Sequence, residues 1–277
     1  MRLGYVADTS NTRVSRALRL FKAGGERRTA VVADMKRTSP TSPTLGRNVG
    51  FFHDAGRRAT ELFDMGVNII LANVDGPGWG GDLADLDAIV AAQKRRDADG
   101  VRVGGEGVAE TAADRGARTA VVCKDLFIHP LQVARAVERG ADGVLLMAPV
   151  LGPVLADLLD TCTVMGTEAL VEVHTPEECR HALEVGATAL LLNCWDRSDG
   201  SWHPGQAEAV RRLVPDHVLT VATGGIGSSE QAARHGDAGF DAVCLGRALA
   251  LHPEPAALVR NIRGHVSAPL LPGTNGF

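Results

Sequence analysis

Short apolar runs rich in β-branched residues recur along the chain, at 29–35, 67–74, 119–125, 143–148, 168–174, 189–194, 218–224 and 242–246. Each reads as a near-continuous hydrophobic stretch rather than an alternation, the pattern of a parallel strand covered on both faces. Helix-like stretches fall between them, for example at 54–65, 83–96, 131–138, 176–185, 206–213 and 229–235. Several strands are entered through glycine turns: Met65-Gly66-Val67, Arg139-Gly140-Ala141 and Val185-Gly186-Ala187. Glycine just past a helix end is the expected stop. Eight strands separated by helices predict a (β/α)8 TIM barrel, read as one domain over 1–277. An open doubly wound sheet is the runner-up, but no G-x-G-x-x-G follows an early strand. One interval is overlong: 97–118 is rich in Gly, Ala and Asp and reads as an insertion, partly helical around 108–115.

Composition narrows the function. Hydrophobic content of 45% and charged content of 22% are those of an ordinary soluble globular protein. Aromatics make up only 4%, the net charge is −4 and no long Lys/Arg block occurs, which argues against a nucleic-acid partner. The five cysteines are widely spaced with no C-x-x-C pair, so reduced thiols are expected rather than a disulfide framework or a zinc cluster. No apolar run approaches the roughly 18 residues of a membrane span, and the N-terminus lacks a signal-peptide core. A cytoplasmic protein without a membrane partner is expected, either monomer or homodimer.

In such barrels the active site is built at the C-terminal strand ends. Those ends carry Asp34 and Lys36, Asn73, Lys124, Glu172 with His174, Asn193, Thr223-Gly224-Gly225, and Gly246-Arg247. Alternation along a strand puts Asp34 and Lys36 on one face. Two lysines, two carboxylates and an amide at facing strand ends form an acid–base constellation. Each also has a plain structural reading: Glu172 as an internal ion pair, Asn193 as a turn cap. The glycine turns after the seventh and eighth strands sit where this fold recurrently binds phosphate, so a small phosphorylated ligand is expected. Cys123 and Cys194 should face away from the barrel interior.

These residues fall into the pattern of a known family. The stretch Asp34-Met35-Lys36-Arg37-Thr38-Ser39-Pro40-Thr41 resembles the Glu-x-Lys-x-x-Ser-Pro-Ser of indole-3-glycerol-phosphate synthases. So do Cys123-Lys124-Asp125-Leu126-Phe127, Ala141-Asp142-Gly143-Val144-Leu145-Leu146, Leu170-Val171-Glu172-Val173-His174 and Thr223-Gly224-Gly225-Ile226, in the same order. The resemblance implies a carboxy-lyase that closes an indole ring on an arylamino-deoxyribulose phosphate in tryptophan biosynthesis. It implies Lys124 as general acid, Glu172 as its acid/base partner, Lys36 as contacting the substrate carboxylate and assisting proton transfer, and Asn193 orienting sugar hydroxyls. Asp34 stands in the place of the family's glutamate. Ser39, Gly224, Gly225, Gly246 and Arg247 would hold phosphate, and no metal or organic cofactor is implied. Amine and carboxylate are expected to have pKa values drawn toward neutrality.

The chain departs from the pattern at three places around the same pocket. Asp34 is one methylene shorter than the family's glutamate; Trp195 replaces an arginine; Thr223-Gly224 replaces Glu-Ser. A homologue acting on another aryl or amino ketose phosphate, with or without decarboxylation, is therefore the alternative enzyme reading. A Schiff-base aldolase using Lys36 or Lys124, and a non-catalytic sugar-phosphate-binding barrel, are the others.

Overall fold

Eight parallel strands close into a barrel: β1 (Ala30–Met35), β2 (Ile69–Asn73), β3 (Ala120–Lys124), β4 (Gly143–Met147), β5 (Glu168–Val173), β6 (Ala189–Asn193), β7 (Leu219–Thr223) and β8 (Ala242–Leu245). Each pairs with its neighbours in sequence, and β8 returns to β1 with Leu245 opposite Ala33. The structure, a computed structural model, describes residues 12–21, 27–39, 50, 52–99, 119–196 and 200–267.

Helices fill the intervals: α1 (Arg13–Leu18), α2 (Ala55–Asp64), α3 (Leu83–Ala98), α4 (Pro130–Glu138), α5 (Leu155–Val164), α6 (Pro176–Glu184), α7 (Gln206–Arg211), α8 (Ser229–Asp237) and α9 (Pro255–Gly264). Their starts follow capping chemistry. Asp54 accepts from the Arg57 N–H at 2.9 Å, and Asp82 and Ser228 close capping boxes with Asp85 and Gln231. Their ends follow glycine: Gly66, Gly140 and Gly186 all take positive φ, as the turns predict. Helix α3 runs to Ala98, two residues into the stretch expected as an insertion. Residues 100–118, with the helix expected around 108–115, lie outside the described residues.

Alternation along the strands divides the apolar residues into two clusters. Val31, Ala33, Val121, Cys123, Val171, Leu192 and their outward-facing equivalents pack under the helices. Cys194 joins them, so both cysteines face away from the interior as expected. Inside the barrel, Val32, Ile69, Leu71, Val122, Leu145, Leu170, Leu191 and Val221 make the second cluster.

The two ends of the barrel differ. Helix α1 closes the N-terminal end, its Val14, Ala17 and Leu18 packing into the inner cluster. Glu168, at the start of β5, accepts the Val14 and Ser15 N–H groups at 2.7 and 3.0 Å, satisfying orphan donors of that helix. Polar residues just ahead of three strands tie the same end together: Asn68 takes the Val31 N–H, Asp142 the Val121 N–H, and Asp241 the Thr220 N–H. With that end covered, Asp34, Lys124, Glu172 and Asn193 stand at the C-terminal strand ends.

Candidate active site

At the C-terminal end a cavity of about 630 Å³ opens over the inner cluster. Asp34, Lys36, Ser39, Lys124, Glu172, Asn193, Trp195, Gly224, Gly225, Gly246 and Arg247 all line it. Asn73 and His174, also singled out at the strand ends, do not line the cavity but contact Asp34 and Glu172.

The first polar group centres on Asp34. One carboxylate oxygen pairs with the Lys36 ammonium; the other accepts from Asn73 Nδ2 at 2.9 Å and lies 3.1 Å from Lys124 Nζ. Lys124 is 3% exposed and its ammonium sits 5.2 Å from the centre of the Trp79 ring, a cation–π contact on its apolar side. Burial pulls the Asp34 carboxyl pKa upward, but the charges of Lys124 and Lys36 and the hydrogen bonds from Lys36 and Asn73 outweigh it. The net result is a carboxyl held well below the usual range. This corrects the expectation that Asp34 is drawn toward neutrality. As an anion it holds two ammonium groups at once.

The second group centres on Glu172, buried at the end of β5. Its Oε1 accepts from Asn193 Nδ2 at 2.8 Å and lies 3.2 Å from His174 Nε2. Asn193 faces both ways, since its Oδ1 also accepts the Trp195 N–H at 2.9 Å. It therefore caps the turn after β6 and steadies Glu172 at once.

The third group is formed by loops. Gly224 and Gly225 both take positive φ, +98° and +93°, which turns the chain sharply off β7. A Cβ on Gly224 would stand 2.8 Å from Asn193 Oδ1, so only glycine fits there. After β6 the chain folds back on itself, with Trp195 bridged to Trp202 and the Trp202 Nε1–H donating to the Gly224 carbonyl at 3.3 Å. The Trp202 ring lies against Gly225 and lines the cavity. Arg37 faces the other way, holding Asp85 and the Phe52 ring, and so anchors the chain leaving β1.

Sequence reasoning did not single out Trp79, Trp202 or Glu178. Asp199-Gly200 between the two tryptophans is the dipeptide of tight hairpins and was the available signal for Trp202. Trp79 gave none, because a tryptophan in a Gly/Pro-rich stretch does not announce which strand end it covers.

The profile of the indole-3-glycerol phosphate synthase family matches residues 6–262. The chain belongs to the indole-3-glycerol phosphate synthase family. It is 30% identical over 234 residues to the indole-3-glycerol phosphate synthase of Mycolicibacterium vanbaalenii, covering 84% of this chain and 76% of that protein. The Rhodococcus jostii enzyme of the same name is 28% identical, covering 86% and 80%. Among solved structures, the barrel is similar to 3-hexulose-6-phosphate synthase from Salmonella typhimurium, with TM-score 0.59 and 16% identity, covering 85% of this chain and 97% of that one. It is also similar to 3-keto-L-gulonate-6-phosphate decarboxylase from Vibrio cholerae, with TM-score 0.56 and 15% identity, covering 86% and 96%. At that identity these structures bear on the fold alone.

Asn193 and Thr223 are register partners across β6 and β7, and Gly224 lies against Asn193 and Cys194. Among the described residues no helix is long and apolar enough to cross a membrane.

Proposed function

We propose that this chain is a carbon–carbon lyase that closes an indole ring on an arylamino-deoxyribulose phosphate, with loss of carbon dioxide and water. The observation that carries the reading is the pairing of Lys36 and Lys124 on one carboxylate, sharing a cavity with the Glu172–Asn193 pair. Two ammonium groups on one anion leave a net positive charge for an anionic substrate. The Lys36 ammonium takes the ring carboxylate, and the glycine turns after β7 and β8, with Ser39 and Arg247, take the phosphate.

The new bond joins the ring carbon bearing the carboxylate to the ketose carbonyl carbon. Lys124 gives its proton to the carbonyl oxygen as that bond forms. Carbon dioxide then departs and leaves its bonding pair in the ring, restoring aromaticity. In the last step the hydroxyl leaves as water with a proton from the site, and Glu172 takes a proton from the carbon beside the nitrogen. Asn193 holds Glu172 and a sugar hydroxyl in place. The reaction belongs to tryptophan biosynthesis, and a cytoplasmic location, supported by five buried free thiols, is part of the same proposal.

The aromatic pair Trp195 and Trp202 supports a second reading: the same chemistry on an arylamino ketose phosphate with a different ring or chain. Incubating the purified protein with carboxyphenylamino-deoxyribulose phosphate and with ring-substituted analogues separates the two, through indole fluorescence and product mass.

A further inference from the structure

Behind Glu172 lies a charged arrangement that the ring-closing steps do not use. His174, 1% exposed, stands between two carboxylates: Nε2 lies 3.2 Å from Glu172 Oε1, and Nδ1 lies 3.2 Å from Glu178 Oε2. A neutral imidazole carries one N–H and one lone pair, so it donates to only one of two carboxylates. Both contacts are made together when the ring carries both protons. The surroundings hold the ring still. Glu178, in the first turn of α6, reaches back over the Thr175 cap to accept the His174 backbone N–H at 2.7 Å, and Gln206 at the start of α7 donates to the His174 carbonyl. The charged groups acting on the ring are Glu172 from β5 and Glu178 from α6; the amides of Asn193 and Gln206, on Glu172 and on the His174 carbonyl, are neutral.

We propose that His174 is a positioning residue, a buried imidazolium whose charge keeps Glu172 ionised and aimed as the base of the dehydration step. A carboxylate that is 1% exposed pays a large desolvation penalty unless a cation compensates it. Burial alone would push the His174 pKa down, but the hydrogen bonds and charges of Glu172 and Glu178 outweigh it and raise it to about 9. The ring is therefore charged throughout the neutral range. Glu178, which touches no wall of the cavity, acts only through it.

The proposal rests on the reading of Glu172 as a base, and its test separates the two. The probe is the full-length chain labelled with ¹⁵N-histidine, with the His174 signal assigned from among nine histidines by its absence in His174→Gln. At pH 7.5 both ring nitrogens should show protonated shifts, and Glu178→Gln should move the titration to lower pH. A neutral ring at pH 7.5 would overturn the proposal, whatever the substrate proves to be. In turnover, His174→Gln keeps a donor to Glu172 but removes the charge. The acid limb of kcat should then move up by about one pH unit or more with KM unchanged. A uniform loss at every pH would mark a purely structural role. If that variant fails to fold, the same limb is read in Glu178→Gln, where a smaller upward shift is expected and an unmoved limb contradicts the proposal. Absence of any turnover in the wild type would defeat the reading of the reaction, while the ring signal still decides the charge.

Discussion

Lys124 and Lys36, from strands two places apart in the barrel, end on the same carboxylate, with Lys124 Nζ 3.1 Å from Asp34 Oδ1 and Lys36 on Asp34 Oδ2. The shorter aspartate side chain thus reaches both lysines. Its anion pairs with both ammonium groups at once and so sets how far apart they stand.

Removing that anion should be costly. In Asp34→Asn the nearly buried Lys124 loses its charge partner, and breaking a buried pair in this way costs about 3–5 kcal/mol. Urea unfolding should show a loss near the low end of that range, since the Asp34 side chain keeps 9% exposure. The pH dependence has a definite sign. The Asp34 pKa is lowered on folding, so its contribution is present above the unfolded value of 3.8 and is lost as pH falls below it. The stability gap between wild type and Asp34→Asn should narrow between pH 4 and pH 2, on the order of the titration window set by that linkage.

His174 should give the opposite slope. Its pKa rises from 6.5 to about 9 on folding, so its stabilising contribution is complete below 6.5 and lost as pH rises through about 9. The wild-type urea midpoint should fall between these values, and His174→Gln should remove that part of the fall.

Lys124→Ala and Glu172→Gln should each lower kcat by about 10²- to 10⁴-fold, the usual range for a proton-transfer group, with modest changes in KM. Lys36→Ala should act mainly on KM, because its ammonium is assigned to binding the carboxylate. Steady-state kinetics on the three variants checks the division of roles.

Gly224 is conformationally and sterically confined. An alanine there would adopt φ near +98° with its Cβ 2.8 Å from Asn193 Oδ1. Gly224→Ala should cost about 1–3 kcal/mol and displace Asn193 from Glu172, lowering kcat along with stability. Thermal melts and kinetics on one preparation give both readings.

The five thiols should be silent in the native state. All are buried, and burial pushes Cys244 and Cys162 up to about 12 and Cys179 up to about 11. Titration with a thiol reagent at pH 8 should find no fast-reacting cysteine in the folded protein and five after denaturation.

Much of this was legible in the chain because a parallel barrel writes itself locally. Each strand is an apolar run, helices α2, α4, α5, α6 and α8 end at a glycine, and the acid–base side chains sit at or just past the strands' C-terminal ends, where chain order alone predicts that they face one another. Asp34, Lys124, Glu172 and Asn193 could be placed in one cavity for that reason. What escaped depends on contacts between elements distant in sequence. The direction of the Asp34 pKa follows from a lysine 90 residues away. The Trp202 platform depends on its bridge to Trp195 and its hydrogen bond to the Gly224 carbonyl. The link from Glu178 to Glu172 runs through a buried histidine ring whose environment no local pattern announces.

The central claim is tested most directly by following indole fluorescence as the purified protein meets carboxyphenylamino-deoxyribulose phosphate, with product mass confirming loss of carbon dioxide and water. The account predicts turnover by the wild type that disappears in Lys124→Ala and Glu172→Gln while both variants remain folded. A folded wild type that binds the substrate without releasing carbon dioxide, or variants that turn over at the wild-type rate, would contradict it.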